Sequence, residues 1–360
     1  MRSLLSTGFI IVAELLLRTS VDTSAFCPWP TVKKDKRIFI TGGTGFVGSH
    51  LIDSLCHRGI MPRVLVRSPR FVPELTEKGA ECVVGGLDDV EKLANSLGGI
   101  DTIFHLAALT RARSEKEYQQ VNTQGTRILV EAIQRAHPRP RRLVYVSSLA
   151  ASGPAMSGVP SCLQDEPRPI TAYGRSKLAG EAACLAAASD LEVFILRPPA
   201  VYGPRDRDLF RCFQLAMYGI LPVPTGPERW LQFIHVHDLV SALLCAATTQ
   251  RTAGIYYVAE SQPYAWGEIS HWLAKAIGRQ VHAIRIPAWG IRAAATASEL
   301  GAAMVGRATI FNREKAEELL APGWLCETET VKRDLGFEVQ IPLPQGLTDT
   351  ASWYRTQGWL

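Results

Sequence analysis

The chain has 360 residues, 47% of them hydrophobic and 20% charged, which is enough for a sizeable core and excludes a disordered or collagen-like chain. The net charge is +5 and the basic residues are scattered, with Lys33-Lys34-Asp35-Lys36-Arg37 and Arg139-Pro140-Arg141-Arg142 flanking predicted strands as solvated loops, so nucleic acid is excluded as a partner. The eight cysteines show no C-x-x-C pair and no zinc spacing, which fits reduced thiols, a cytosol-like compartment and no metal site.

Residues 1–35 stand apart. Arg2 precedes an apolar stretch from Leu4 to Leu17 that Glu14 interrupts, and small residues follow at Thr23-Ser24-Ala25. This reads either as a targeting segment, organellar or membrane-associated, or as a loose extension of a cytoplasmic protein. It falls short of the roughly 20 apolar residues of a membrane span.

Ile38-Phe39-Ile40 is an apolar run suited to a buried strand, and Gly42, Gly45 and Gly48 follow it at three-residue spacing. Phe46, Val47, Leu51, Ile52 and Leu55 then recur at helical period. In this strand–turn–helix, Gly42 allows a sharp turn, Gly45 lets a pyrophosphate approach the backbone, and Gly48 lets the helix pack on the strand. The helix N-terminus supplies N–H groups for the phosphates. Further strands are expected at 63–67, 83–85, 101–106, 143–147 and 191–196, with helices near 71–79, 89–97, 115–136 and 171–188. The strands are continuous apolar runs, as in strands buried on both faces. The alternation predicts an α/β fold with a doubly wound parallel sheet.

Beyond residue 198 the pattern changes to a smaller α+β substrate lobe. Helices are expected at 207–218, 237–249 and 266–277, strands at 233–236 and 254–259, and an Ala-rich helix walling a pocket at 289–305. The division is therefore 1–35, a dinucleotide-binding domain at 36–197, and a substrate lobe at 198–360 whose segments near 233–259 return to the sheet. Its tryptophans, Trp230, Trp266, Trp272 and Trp289, read mostly as packing.

Tyr173 and Lys177 are four apart and share a helix face just after the strand that ends in Ser147-Ser148. A phenol, an ammonium and a hydroxyl converge at the carboxyl end of the sheet, where ligands bind. A nearby Lys⁺ would lower the phenol pKa from its usual value of about 10, so that Tyr173 exchanges a proton with a substrate oxygen that Ser148 holds.

These pieces resemble the extended short-chain dehydrogenase/reductase superfamily, the NAD-dependent epimerase/dehydratase family, over residues 37–360. The resemblance rests on Thr41-Gly42-Gly43-Thr44-Gly45-Phe46-Val47-Gly48, Phe104-His105-Leu106-Ala107-Ala108, Val121-Asn122-Thr123-Gln124-Gly125-Thr126 and Val146-Ser147-Ser148. It continues through Tyr173-Gly174-Arg175-Ser176-Lys177, Arg197-Pro198-Pro199-Ala200-Val201-Tyr202-Gly203-Pro204 and Phe233-Ile234-His235-Val236-His237-Asp238. It implies a Rossmann fold, with Tyr173 as acid/base, Lys177 as its partner, Ser148 as carbonyl binder and Asn122 as organiser of the site. It implies cofactor contacts from Gly42, Thr44, Gly45, Phe46, Val47, Gly48, Ala107, Ala108, Tyr173, Lys177, Pro198 and Ala200. The helices over 115–136 and 171–188 match those the family pairs in its dimers, which leaves a homodimer open.

Departures narrow the expectation. Gly85-Gly86-Leu87 replaces the family's Gly-Asp-Leu, so Leu87 backbone stands in for the adenine contact. Arg67 occupies the place of an acidic ribose ligand, and with Arg70 it leans toward NADP, with NAD as the alternative. Leu149-Ala150-Ala151 replaces the Thr-Asp-Glu of sugar dehydratases. Leu231-Gln232 replaces the Arg-Asp of nucleotide-sugar enzymes, although Arg229 stands near enough to substitute. His105 reads as structural, and His235 and His237, alternating on a strand, face opposite sides. The leading expectation is an NAD(P)-dependent oxidoreductase acting on a secondary alcohol or ketone of a mostly apolar small molecule. A nucleotide-sugar epimerase with tightly bound NAD is the alternative, and a cofactor-binding scaffold without turnover is the third reading.

Overall fold

Strand β1 (Ile38–Thr41) is buried along its whole length, as its apolar run requires. A computed structural model describes residues 36–156, 158–304, 309 and 311–360, so the expected targeting segment or extension at 1–35 lies outside the described residues. After β1 come α1 (Phe46–Cys56), β2 (Arg63–Val66), α2 (Val72–Glu77), β3 (Glu81–Val84), α3 (Val90–Ser96) and β4 (Thr102–His105). Then follow α4 (Glu115–Tyr118), α5 (Gly125–Arg135), β5 (Arg142–Val146), α6 (Ala172–Leu185) and β6 (Glu192–Arg197).

The second half contains β7 (Ala200–Tyr202), α7 (Phe210–Met217), β8 (Ile220–Pro224), β9 (Trp230–Leu231), β10 (Phe233–His235), α8 (Val236–Thr248) and β11 (Gly254–Tyr257). It continues with β12 (Tyr264–Ala265), α9 (Trp266–Ile277), β13 (His282–Ile286), α10 (Ala288–Met304), α11 (Arg313–Leu320), β14 (Gly323–Trp324), α12 (Glu329–Leu335) and α13 (Leu343–Thr356).

The fold is α/β. Seven parallel strands form one sheet in the order β11-β6-β5-β4-β1-β2-β3. The strand order reverses between β1 and β4, and this switch point opens a crevice at the carboxyl ends of the strands. Side chains alternate across β1. Ile38 and Ile40 enter the core layer with Leu51 and Leu55 of α1 and Leu239 and Leu243 of α8. Phe39 enters the opposite layer with Leu93, Leu129 and Ile133. A third core around Phe213, Leu273 and Tyr354 belongs to the second half, beside the small sheets β10-β7, β12-β9-β14 and β13-β8.

Two local differences from the sequence expectation matter. The helix expected over 115–136 is interrupted by a π-helical turn, Gln119–Gln124, that carries Asn122; such turns are often found at functional sites. Several short strands were not anticipated, and β8 shows why. It carries Pro222 and Pro224, which an edge strand of a two-stranded sheet tolerates. No helix among the described residues is long and apolar enough to cross a membrane.

Candidate active site

The glycine turn is set by backbone contacts. Gly42 has φ +74°, and a Cβ there would lie 2.6 Å from Ala107 N. A Cβ on Gly48 would lie 2.3 Å from Gly42 O. Gly45 N–H donates to Gly42 O at 3.0 Å, and a Cβ on Gly45 would meet only that oxygen, at 3.2 Å. Thr44 and Gly45 are exposed, and Phe46 and Val47 are half-buried. The N-terminus of α1 has no side-chain cap and no acidic residue in its first turn, so its first N–H groups have no side-chain acceptor. This is the arrangement a dinucleotide pyrophosphate needs: donors without a competing side chain, and a Gly45 whose missing Cβ leaves room.

His105 is fully buried and ties this turn to the sheet. Its ring nitrogens lie 2.6 Å from Thr41 Oγ1 and 2.9 Å from Thr126 Oγ1, and burial pushes its pKa down to about 3. Thr41 Oγ1 also accepts from Ala107 N–H at 3.2 Å, which brings the Ala107-Ala108 segment beside Gly42. At the other end of the crevice, Arg67 is exposed after β2, and the Arg70 guanidinium lies 4.6 Å from the Phe71 ring centroid. Leu87 packs over Gly125, while Asp89, two residues on, caps α3 by accepting from Lys92 N–H. Pro198 is buried and Ala200 is exposed.

The catalytic candidates gather at the carboxyl end of β5. Thr171 caps α6 by accepting from Gly174 N–H at 3.0 Å, and Glu314 of α11 accepts from Ala172 N–H at 2.8 Å. These caps set the first turn, where Tyr173 sits. The Ser148 hydroxyl lies on the side of the Tyr173 phenol and eases its ionisation. One helical turn later Lys177 is buried, with Nζ 4.1 Å from the Tyr145 ring centroid. Burial pushes the Lys177 ammonium down to about 7, opposed by Cys184 and Glu181. Burial pushes the Tyr173 phenol up to about 12, opposed by the Ser148 hydroxyl. The phenol lowering expected from Lys177 is therefore corrected. In this structure desolvation outweighs any neighbouring charge at Tyr173.

Asn122 links the loop after β4 to α6. Its Oδ1 accepts from Leu109 N–H at 2.7 Å, and its Nδ2 donates to Leu109 O at 3.0 Å and to Ser176 Oγ at 2.9 Å. Ser176 Oγ in turn donates to Tyr173 O at 2.7 Å. Asn122→Ala is expected to lower stability by about 1–3 kcal/mol for each buried group it orphans, read as a fall in Tm by calorimetry. An unchanged Tm would mean that Leu109 finds other partners.

Other residues weighed from sequence sit elsewhere. Arg229 is buried and donates to the carbonyls of Leu320, Thr225 and Pro227, so it does not replace the missing diphosphate arginine. Gln232 Nε2 donates to Glu260 O at 2.9 Å, and its Oε1 accepts from Cys326 N–H at 2.6 Å. His235 and His237 do not face apart. The strand ends at His235 and α8 begins at Val236, so the rings meet with centroids 4.9 Å apart, and His50 lies 5.1 Å from His237. Among the described residues no three His, Cys, Asp or Glu side chains are placed to hold a metal. Trp266 and Trp272 pack on the third core, whereas Trp289 is 75% exposed.

Sequence reasoning passed over Glu314 and the pair Glu181–Arg197. For Glu314 there was no signal, because its contact spans 142 residues. Glu181 did carry one: it continues the four-residue spacing of Tyr173 and Lys177.

The family model for the NAD dependent epimerase/dehydratase family matches residues 38–259. The chain is 33% identical to a ceramide reductase of Caulobacter vibrioides over 90% of this chain and 96% of the relative. It is 28% identical to a 3 beta-hydroxysteroid dehydrogenase/Delta 5-->4-isomerase of Mycobacterium tuberculosis over 88% and 90%. Among solved structures it is similar to MoeE5 in complex with UDP-glucuronic acid and NAD, with TM-score 0.71 and 26% identity over 89% of this chain and 99% of that one. With a glycine turn built for a dinucleotide at the switch point and Ser148, Tyr173 and Lys177 beside it, the chain belongs to the NAD-dependent epimerase/dehydratase family of extended short-chain dehydrogenases/reductases and is an NAD(P)-dependent oxidoreductase.

Proposed function

We propose that this enzyme interconverts a secondary alcohol and a ketone on a mostly apolar, lipid-like molecule. The observation that carries this reading is the substrate side of the crevice. Leu231 and Gln232 stand where nucleotide-sugar enzymes place a charged pair, and Nε and Nη1 of the buried Arg229 and Nε2 of Gln232 donate to backbone carbonyls. No arginine is thus left at that place to hold a diphosphate. The ceramide and 3 beta-hydroxysteroid in the names of two relatives are apolar molecules, which supports the same class.

The nicotinamide cofactor supplies or accepts the hydride when bound. Ser148 Oγ holds the substrate oxygen by a hydrogen bond. Tyr173 gives that oxygen a proton during reduction and takes it back during oxidation. Lys177, one turn along the same face, holds the cofactor ribose hydroxyls and favours the phenolate when it comes near the phenol. Asn122 keeps the loop after β4 and the first turns of α6 in register. On this reading residues 36–197 carry the cofactor and 198–360 the substrate lobe, with segments near 233–259 returning to the sheet.

Arg67 is proposed to read a 2′-phosphate and to favour NADPH. NADPH and NADH titrated separately into the protein should show tighter NADPH binding, with the difference shrinking in Arg67→Ser. Equal affinities in the unaltered protein would remove the NADP assignment. A panel of keto-steroids, keto-ceramides and UDP-sugars should then show cofactor-dependent reduction of a ketone lipid. Conversion of a UDP-sugar without added cofactor, by protein that retains NAD on dialysis, would move the assignment to a sugar epimerase.

A further inference from the structure

We infer that the buried Glu181–Arg197 ion pair is a positioning device that sets Ser148, Tyr173 and Lys177 in one geometry and faces Lys177 with a fixed negative charge. The inference rests on the proposed oxidoreductase reading and extends it to residues that do not touch substrate. Glu181 and Arg197 side chains are 2% and 5% exposed. Their contact is bidentate: Arg197 Nε donates to Glu181 Oε1 at 2.9 Å, and Nη2 donates to Oε2 at 2.6 Å. Ser147 Oγ donates to the same Oε1 at 2.5 Å. Arg197 Nη1 donates to Ser152 Oγ at 2.9 Å, which also accepts from Tyr257 OH at 2.9 Å.

Each member adjoins a candidate of the site. Ser147 precedes Ser148, and Ser152 follows the short turn that Ser148 caps. Arg197 precedes Pro198, whose carbonyl accepts from Leu149 N–H at 2.8 Å. Glu181 lies one turn beyond Lys177 and two beyond Tyr173 on the same helix face. One carboxylate thus joins the end of β5, the catalytic helix and the end of β6. Stability alone is a weak reason for such a pair, since well-packed apolar residues of similar volume often serve equally well.

The surroundings of Lys177 give Glu181 its second role. Tyr145 on β5, and Glu181 and Cys184 on α6, lie around its ammonium, and His105 on β4 is close enough to feel its charge. Burial favours neutral His105 and neutral Cys184, leaving Glu181 as the carboxylate among them, with Arg197 directly behind it. Removing the carboxylate leaves the ammonium facing the guanidinium, so Lys177 releases its proton at lower pH.

The test compares Glu181→Gln and the volume-matched double variant Glu181→Met/Arg197→Met with the unaltered enzyme. Tm, kcat, KM and the pH profile of kcat/KM are measured with whichever keto-steroid or keto-ceramide the enzyme reduces fastest. Both variants should lose about 10–100-fold in kcat with KM within about twofold; the alkaline limb should move down by about one pH unit in Glu181→Gln, and by less in the double variant, which removes the guanidinium too. A double variant of unchanged Tm that keeps the original kcat, beside an unshifted pH limb in Glu181→Gln, would overturn the inference, because the pair would then be structural only. If Tyr173→Phe kept full turnover with the same ketone, the underlying reading would fall and this inference with it. A dead Tyr173→Phe beside an unshifted limb and an unchanged kcat in Glu181→Gln overturns the positioning role alone.

Discussion

Tyr173→Phe is expected to lower turnover about 10²–10⁴-fold, the usual contribution of a positioned acid/base group, while leaving cofactor affinity within a few-fold. The phenol is the group at the crevice that combines the influence of the Ser148 hydroxyl with a place on the first turn of α6. Removing only the oxygen leaves the ring contact to Tyr118 in place, with centroids 5.9 Å apart, so the fold has no reason to yield. Steady-state rates with a ketone lipid and a parallel cofactor titration check both parts. Turnover unchanged by the substitution would end the assignment of Tyr173 as acid/base. Burial holds the phenol near 12, so it stays protonated at neutral pH and is poised to donate in the reductive direction. Oxidation needs the phenol pKa brought down, which requires Lys177 to leave the Tyr145 ring and approach the phenol.

Two glycines of the first turn should separate binding from folding. In Gly48→Ala the new methyl would sit 2.3 Å from Gly42 O and 2.8 Å from Gly43 Cα, both backbone atoms that cannot swing aside. The expected cost is about 1–3 kcal/mol or more, with α1 pushed off β1 and cofactor affinity lost with it. In Gly45→Ala the residue keeps an ordinary φ of −82°, and the methyl meets only Gly42 O at 3.2 Å. Stability should change by less than about 1 kcal/mol, yet the methyl would occupy the approach to the N–H groups of α1. Cofactor affinity should fall tenfold or more, about 1.4 kcal/mol. Thermal melts and titrations of the two variants side by side give the answer. Wild-type affinity in Gly45→Ala would mean that the phosphates pass elsewhere.

Much of the fold was legible because it is written in local pattern. Continuous apolar runs marked β1, β2, β4, β5 and β6 because strands covered on both faces need no polar side, and β3, at the sheet edge, was placed two residues late. The C-terminal half was less legible. Strands as short as Trp230–Leu231 and Gly323–Trp324 carry no period, and a proline-bearing edge strand contradicts the usual strand signal. The π turn at Gln119–Gln124 was read as plain helix because its sequence keeps helical spacing on either side.

The sequence by itself determined the family, the sheet, the glycine turn, and the helix face shared by Tyr173 and Lys177. All of these depend on spacing along one segment, and spacing survives translation into strand and helix without knowledge of neighbours. Only the tertiary structure decided what each polar side chain meets. It turned Arg229 onto carbonyls, brought His235 and His237 together, seated Glu314 on the first turn of α6, and closed Glu181 on Arg197. It also decided the protonation balance, raising Tyr173 and lowering Lys177. The reason is the same in each case: hydrogen-bond partners and desolvation come from elements far apart in the chain, and their strength depends on burial that no single segment specifies.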